Sequence, residues 1–125
     1  MEEKIKRRRI LIADDEPAIR SLVSGILGES YSIIMAGNGE EALDIARLEK
    51  PDLILMDIMM PRMDGYLACF SIKTDPELKY IPVIMLSGLG YELNMKLGQK
   101  FGADGYLRKP FKQQELTQIA DRFLS

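Results

Sequence analysis

The apolar residues fall into short solid runs, separated by stretches in which they recur with a helical period. Ile10–Ala13, Tyr31–Met35, Leu53–Met56, Ile81–Leu86 and the brief Gly105-Tyr106-Leu107 read as strands. Between the first two, Ile19, Leu22, Val23, Ile26 and Leu27 repeat at i, i+3, i+4, i+7 and i+8, one face of an amphipathic helix. Pro17 stands in its first turn, where a missing N–H costs nothing. Asn38-Gly39 signals a turn before a second helix carrying Glu40, Ala42, Leu43 and Ala46, which Pro51 stops. A third helix runs from Gly65 to about Lys73 and ends before Asp75-Pro76. Leu93, Leu97 and Phe101 mark a looser fourth, and Leu116, Ile119, Ala120, Phe123 and Leu124 a clean fifth.

Strands that are apolar on both faces belong to a parallel sheet with helices on each side. Right-handed crossovers then give an α/β fold, a doubly wound five-stranded parallel sheet with five helices, in the flavodoxin-like order 2-1-3-4-5. The switch point of that order lies between strands one and three, where such sheets bind ligands. No linker, repeat or low-complexity segment interrupts residues 1–125, which read as a single domain.

The strand ends carry the chemistry. Asp14 and Asp15 close the first run, Asp57 the third and Ser87 the fourth, while the fifth leads into Lys109-Pro110. Asp14 either contacts an ion or acts one layer behind it, and Asp15 and Asp57 are the candidates for direct contact. Mg²⁺ takes oxygen ligands and keeps several waters, so two or three carboxylates and a backbone carbonyl suffice. Without a cation, two carboxylates ~4 Å apart repel by about 4 kcal/mol at an effective dielectric near 20. Capping of the first helix would account for one acid, not for two adjacent acids matched by Asp57 and Lys109. A carboxylate can attack phosphorus to form an aspartyl phosphate, with Lys109 and the Ser87 hydroxyl holding phosphoryl oxygens.

Composition narrows the classes. The chain has 125 residues, 46% of them hydrophobic, a size that supports one proper core. Its single cysteine, Cys69, allows no intrachain disulfide and reads as a small buried hydrophobe in a cytoplasmic protein. The absence of histidine removes Ser-His-Asp and Cys-His catalysis and most zinc sites. Apolar runs are too short to span a membrane, and the start lacks the pattern of a secretory signal. The basic cluster Lys4, Lys6, Arg7, Arg8 and Arg9 is offset by 19 acids and reads, over residues 1–8, as a solvated, frayed end.

Ala13-Asp14-Asp15-Glu16-Pro17, Leu55-Met56-Asp57, Met60-Pro61-Arg62-Met63-Asp64-Gly65, Ser87 after Val83-Ile84-Met85-Leu86, and Gly102-Ala103-Asp104-Gly105-Tyr106-Leu107-Arg108-Lys109-Pro110-Phe111 occur in order across the chain. Together they resemble the receiver domain of two-component response regulators, and in length the chain is similar to the stand-alone chemotaxis type. The resemblance implies that Asp57 takes a phosphoryl group from a phosphohistidine of a sensor histidine kinase or phosphotransfer protein. It also implies that Asp15, Asp57 and the Met59 carbonyl bind Mg²⁺, with Asp14 acting through water. Lys109-Pro110 would be a cis peptide aiming the lysine inward. Ser87 and Tyr106 would be the switch pair, moving an output face made of the fourth helix, fifth strand and fifth helix toward an unknown target.

Met59 and Leu89, two residues beyond Asp57 and Ser87, stand where receivers influence hydrolysis. Both are apolar and cannot orient water, so the phosphorylated state is expected to decay slowly. Gly88 and Gly90 predict a mobile loop around Leu89. The rival readings are a pseudo-receiver that docks partners without phosphorylation and a phosphohydrolase. The first usually lacks an acid, the hydroxyl or the lysine; the second needs an acid where Met59 stands. The chain is therefore expected to be no enzyme beyond its own phosphorylation and dephosphorylation. No basic face favours nucleic acid, and the oligomeric state is open between a monomer and a weak phosphorylation-dependent dimer.

Overall fold

The computed structural model describes residues 7–88 and 90–124; Lys4, Lys6, Leu89 and Ser125, and with them the expectations placed on Lys4, Lys6 and Leu89, lie outside. Five strands alternate with five helices: β1 (Arg9–Ala13), α1 (Pro17–Leu27), β2 (Ser32–Ala36), α2 (Gly39–Glu49), β3 (Leu53–Asp57), α3 (Gly65–Thr74), β4 (Val83–Ser87), α4 (Tyr91–Lys100), β5 (Gly105–Arg108) and α5 (Gln113–Leu124). All pairings are parallel, in the order β2-β1-β3-β4-β5. This is the doubly wound arrangement the apolar runs predict.

The period of two along each strand divides the core. Leu11, Ala13, Ile54, Met56, Val83 and Met85 face α2 and α3, meeting Ala42, Ala46, Ala68, Cys69 and Ile72. Ile10, Ile12, Leu53, Leu55, Ile84 and Leu86 face the other way, onto Val23, Leu27, Leu116, Ala120 and Leu124 of α1 and α5. β3 and β4 are buried at every position, so each presents its last side chain from a rigid base.

The structure changes several boundaries. β2 begins at Ser32 rather than Tyr31, and as an edge strand it leaves Ser32 and Met35 exposed, so it is not buried on both faces. Tyr31 sits ahead of it, its hydroxyl donating to Asp121 at 2.9 Å. β4 begins at Val83, because the Ile81 amide closes a turn onto the Leu78 carbonyl and Pro82 has no amide for the ladder. Arg7 donates to the Gly28 carbonyl and Arg8 pairs with Asp52. Among the described residues no helix is long and apolar enough to cross a membrane.

Candidate phosphoryl and metal site

β1 and β3 are neighbours, so their carboxyl ends bring Asp14 and Asp57 side by side. Asp14 is fully buried: one oxygen accepts from Lys109 Nζ at 2.7 Å, the other from the Glu16 amide at 3.0 Å. Its carbonyl accepts from Arg20 at 2.6 Å. The residue capping α1 is Glu16, without a side-chain cap bond, so neither Asp14 nor Asp15 has the capping role. Asp57, the last residue of β3, is 7% exposed and accepts from Lys109 at 3.2 Å and from the Ile58 amide at 3.0 Å, both on Oδ1.

Lys109 reaches inward from the end of β5. Its amide donates to the Ser87 carbonyl at 2.6 Å, which fixes the chain beside β4, and the Lys109–Pro110 peptide is cis. The ammonium bridges Asp14 and Asp57 and lies 4.0 Å from Glu16. The segment after Asp57 folds back over the strand end. The Gly65 amide donates to the Ile58 carbonyl at 2.8 Å, and a Cβ at this glycine would collide with the Asp57 carbonyl, so α3 starts this close only because residue 65 has no side chain. Asp64 caps α3 through the Leu67 amide.

Burial pushes the Asp57 carboxyl up to about 6, the Asp14 and Asp15 charges add to that rise, and Lys109 offsets part of it. Burial alone would lower Lys109. Its hydrogen bond to Asp14 and the charges of Asp57 and Asp14 together outweigh that and hold it above the ordinary lysine range. The ammonium is therefore a fixed positive charge.

Asp15, Glu16, Asp57, Met59, Ser87 and Lys109 line one cleft of about 520 Å³. Carboxylate oxygens of Asp14, Asp15 and Glu16 come within 4.8 Å of one another. With Asp14 engaged by Lys109 and the Glu16 amide, Asp15, Glu16 and Asp57 supply the hard oxygen donors facing the cleft. That donor set fits Mg²⁺ and not a soft metal. Glu16 was not singled out by the sequence, although its place beside two acids was a signal.

Ser87 is 2% exposed and its Oγ accepts from Asn94 Nδ2 at 2.8 Å. Asn94 Oδ1 in turn accepts from the Tyr66 hydroxyl at 2.7 Å. Neither residue carries a pattern that could have marked it in the sequence, because the contact joins α3 to α4. Tyr106 turns its ring toward the α3 side of the sheet, and its buried hydroxyl finds no hydrogen-bond partner among the described residues.

A family model described as the response regulator receiver domain matches residues 10–121. The chain is 40% identical over 111 residues to the alkaline phosphatase synthesis transcriptional regulatory protein PhoP of Bacillus subtilis (strain 168), covering 88% of this chain and 45% of that protein. It is 37% identical over 112 residues to the DNA-binding response regulator MtrA of Mycolicibacterium smegmatis, covering 89% and 48%. The chain thus spans about half the length of the curated relatives it matches. Among solved structures, the chemotaxis protein CheY4 of Vibrio cholerae superposes with a TM-score of 0.88 at 31% identity, over 94% of this chain and 99% of that one. The receiver domain of NtrX from Brucella abortus superposes with a TM-score of 0.84 at 35% identity, over 92% and 97%.

Proposed function

The chain belongs to the response regulator receiver domain family of two-component signalling, and from that premise we propose that it is a phospho-acceptor switch with Asp57 as the acceptor. The observation that carries this is the convergence of Asp57, Lys109 and Ser87 on one cleft at the switch point of the sheet. Lys109 and the Ile58 amide both bind Asp57 Oδ1, which leaves Oδ2 to attack. As the Asp57 oxygen–phosphorus bond forms, the bond from phosphorus to the donor imidazole nitrogen breaks; the electron pair returns to the imidazole, which takes up a proton. That imidazole must come from a sensor histidine kinase or phosphotransfer protein, since this chain has no histidine. Lys109 holds one phosphoryl oxygen as an ion pair and the Ser87 hydroxyl donates to another. Asp15, Asp57 and the Met59 carbonyl, with Glu16 beside them and Asp14 behind, would hold Mg²⁺. When bound, the ion would neutralise phosphoryl oxygens and relieve repulsion among the carboxylates.

Phosphorylation then draws on Ser87 and Tyr106 to shift the α4-β5-α5 face toward a downstream protein target. We place this cytoplasmic, and in a longer regulator the output could be transcriptional, as the names of the relatives suggest for those proteins. Receiver domains are signalling domains rather than enzymes, and this one acts only on its own phosphoryl group. It uses no nucleic-acid surface of its own. The alternative is a docking module that works without phosphorylation.

The test is incubation with acetyl phosphate, with and without Mg²⁺, followed by intact mass. The wild type is expected to gain one Mg²⁺-dependent phosphoryl group and Asp57→Asn none. With the exposed apolar Met59 side chain unable to orient water, the adduct should persist for minutes after the donor is removed. No adduct in a folded, Mg²⁺-binding protein would favour the docking module.

A further inference from the structure

Three hydrogen-bonding side chains outside the acidic cluster form a continuous chain into the cleft. The Tyr66 hydroxyl, on α3, donates to Asn94 Oδ1 at 2.7 Å. Asn94, on α4, donates through Nδ2 to Ser87 Oγ at 2.8 Å. Ser87 is the last residue of β4 and lines the cleft with Asp57 and Lys109. All three polar groups are at least partly buried, so each bond acts in a medium where hydrogen bonds polarise one another.

The direction of donation matters. A serine hydroxyl has one proton and two lone pairs. With Asn94 donating into Oγ, one lone pair is occupied and the serine proton must point elsewhere. The cleft, holding Asp57 and Lys109, is where an acceptor would stand. We propose that Tyr66 and Asn94 are positioning residues that orient the Ser87 proton toward a phosphoryl group on Asp57, making Ser87 a preset donor instead of a free rotor. This rests on the acceptor reading given above.

The geometry also makes the acceptor site sensitive to α4. Asn94 stands in the first turn of that helix, its amide donating to the Gly90 carbonyl at 2.8 Å. A shift of α4 large enough to part Nδ2 from Oγ would release the Ser87 proton. The position of α4 therefore changes how Ser87 meets the phosphoryl group, and by linkage the phosphoryl group biases the position of α4.

Asn94→Asp tests this with little change of shape. A carboxylate at 94 can only accept, so it draws the Ser87 proton away from the cleft. With acetyl phosphate and Mg²⁺, adduct formation followed by intact mass should be about tenfold slower than in the wild type, the scale of one hydrogen bond to a charged group. Ser87→Ala should slow it similarly, and Asn94→Asp added to Ser87→Ala should slow it further only by the repulsion of one added carboxylate in the cleft, a smaller effect that fades with added salt. Tyr66→Phe, which keeps the ring and loses only the first donor, should give a smaller slowing that vanishes in Ser87→Ala, and it serves if the aspartate variant does not fold. Wild-type rates in both single variants, or equal slowing with and without Ser87, would overturn the relay while leaving Asp57 the acceptor. No adduct in the wild type would overturn the acceptor reading and the relay with it.

Discussion

Asp57 shows how a single side chain is tuned by what surrounds it. Its folded carboxyl lies at about 6, above the ordinary aspartate value, because burial and the neighbouring Asp14 disfavour its charge more than Lys109 favours it. The folded protein therefore holds this proton more tightly than the unfolded chain does. Asp57 costs no stability below pH ~4, and the cost grows as pH rises through about 6 and is then constant. Asp57→Asn, measured without metal, should melt several degrees higher than the wild type at pH 7.5, and the gap should narrow as pH falls to 5 and close only below pH ~4. Carboxyl NMR should place the titration of Asp57 near 6 without metal and move it down when Mg²⁺ is added. A midpoint near 4 in the metal-free protein would show that Lys109 dominates instead.

At the scale of elements, α4 and β5 meet through a notch. A Cβ on Gly98 would lie 2.7 Å from Tyr106 Cε1 and 2.9 Å from its hydroxyl oxygen, closer than packed atoms approach. The tyrosine ring thus occupies space that exists because α4 carries glycine there, although glycine costs the helix about 1 kcal/mol relative to alanine. Gly98→Ala should lose that gain to overpacking, lower stability by about 1–3 kcal/mol in urea unfolding and displace the ring, seen as a loss of tyrosine near-UV dichroism. Tyr106→Phe should act oppositely and raise stability by about 1 kcal/mol, since it deletes a buried hydroxyl that has no partner among the described residues. The strands, the helix faces and the acids at the strand ends were legible because they follow from runs and periods within short windows. The Gly98–Tyr106 notch and the Tyr66–Asn94–Ser87 chain were not, because each joins side chains from elements whose facing surfaces are set only by the packing. Glu16 lay in plain view but was masked by the acid pair before it, and β2 read as buried because an edge strand differs from a central one in its neighbours rather than its composition.

Across the whole molecule, burial is uneven in a way that serves a switch. The central strands are sealed on both faces, and α2, α3 and α5 each bury three or four residues against them. The described part of α4 buries only Gly98, which has no side chain to pack. An element with so little apolar burial opens at a free energy well below that of the whole domain. Hydrogen exchange should therefore show α4 amides exchanging faster than those of α2 and α5, with β1 and β3 slowest. Adding acetyl phosphate and Mg²⁺ should slow exchange in α4 and β5 while leaving β1 unchanged, because the phosphoryl group recruits Ser87 and, through it, Asn94. Uniform protection across all five helices, or a change on phosphorylation spread evenly over the sheet, would mean that the fold answers as one rigid body. The contrast between sealed strands and a loosely held helix predicts a local response: one new charge at the strand ends has to outweigh only the weak packing of α4, not the core.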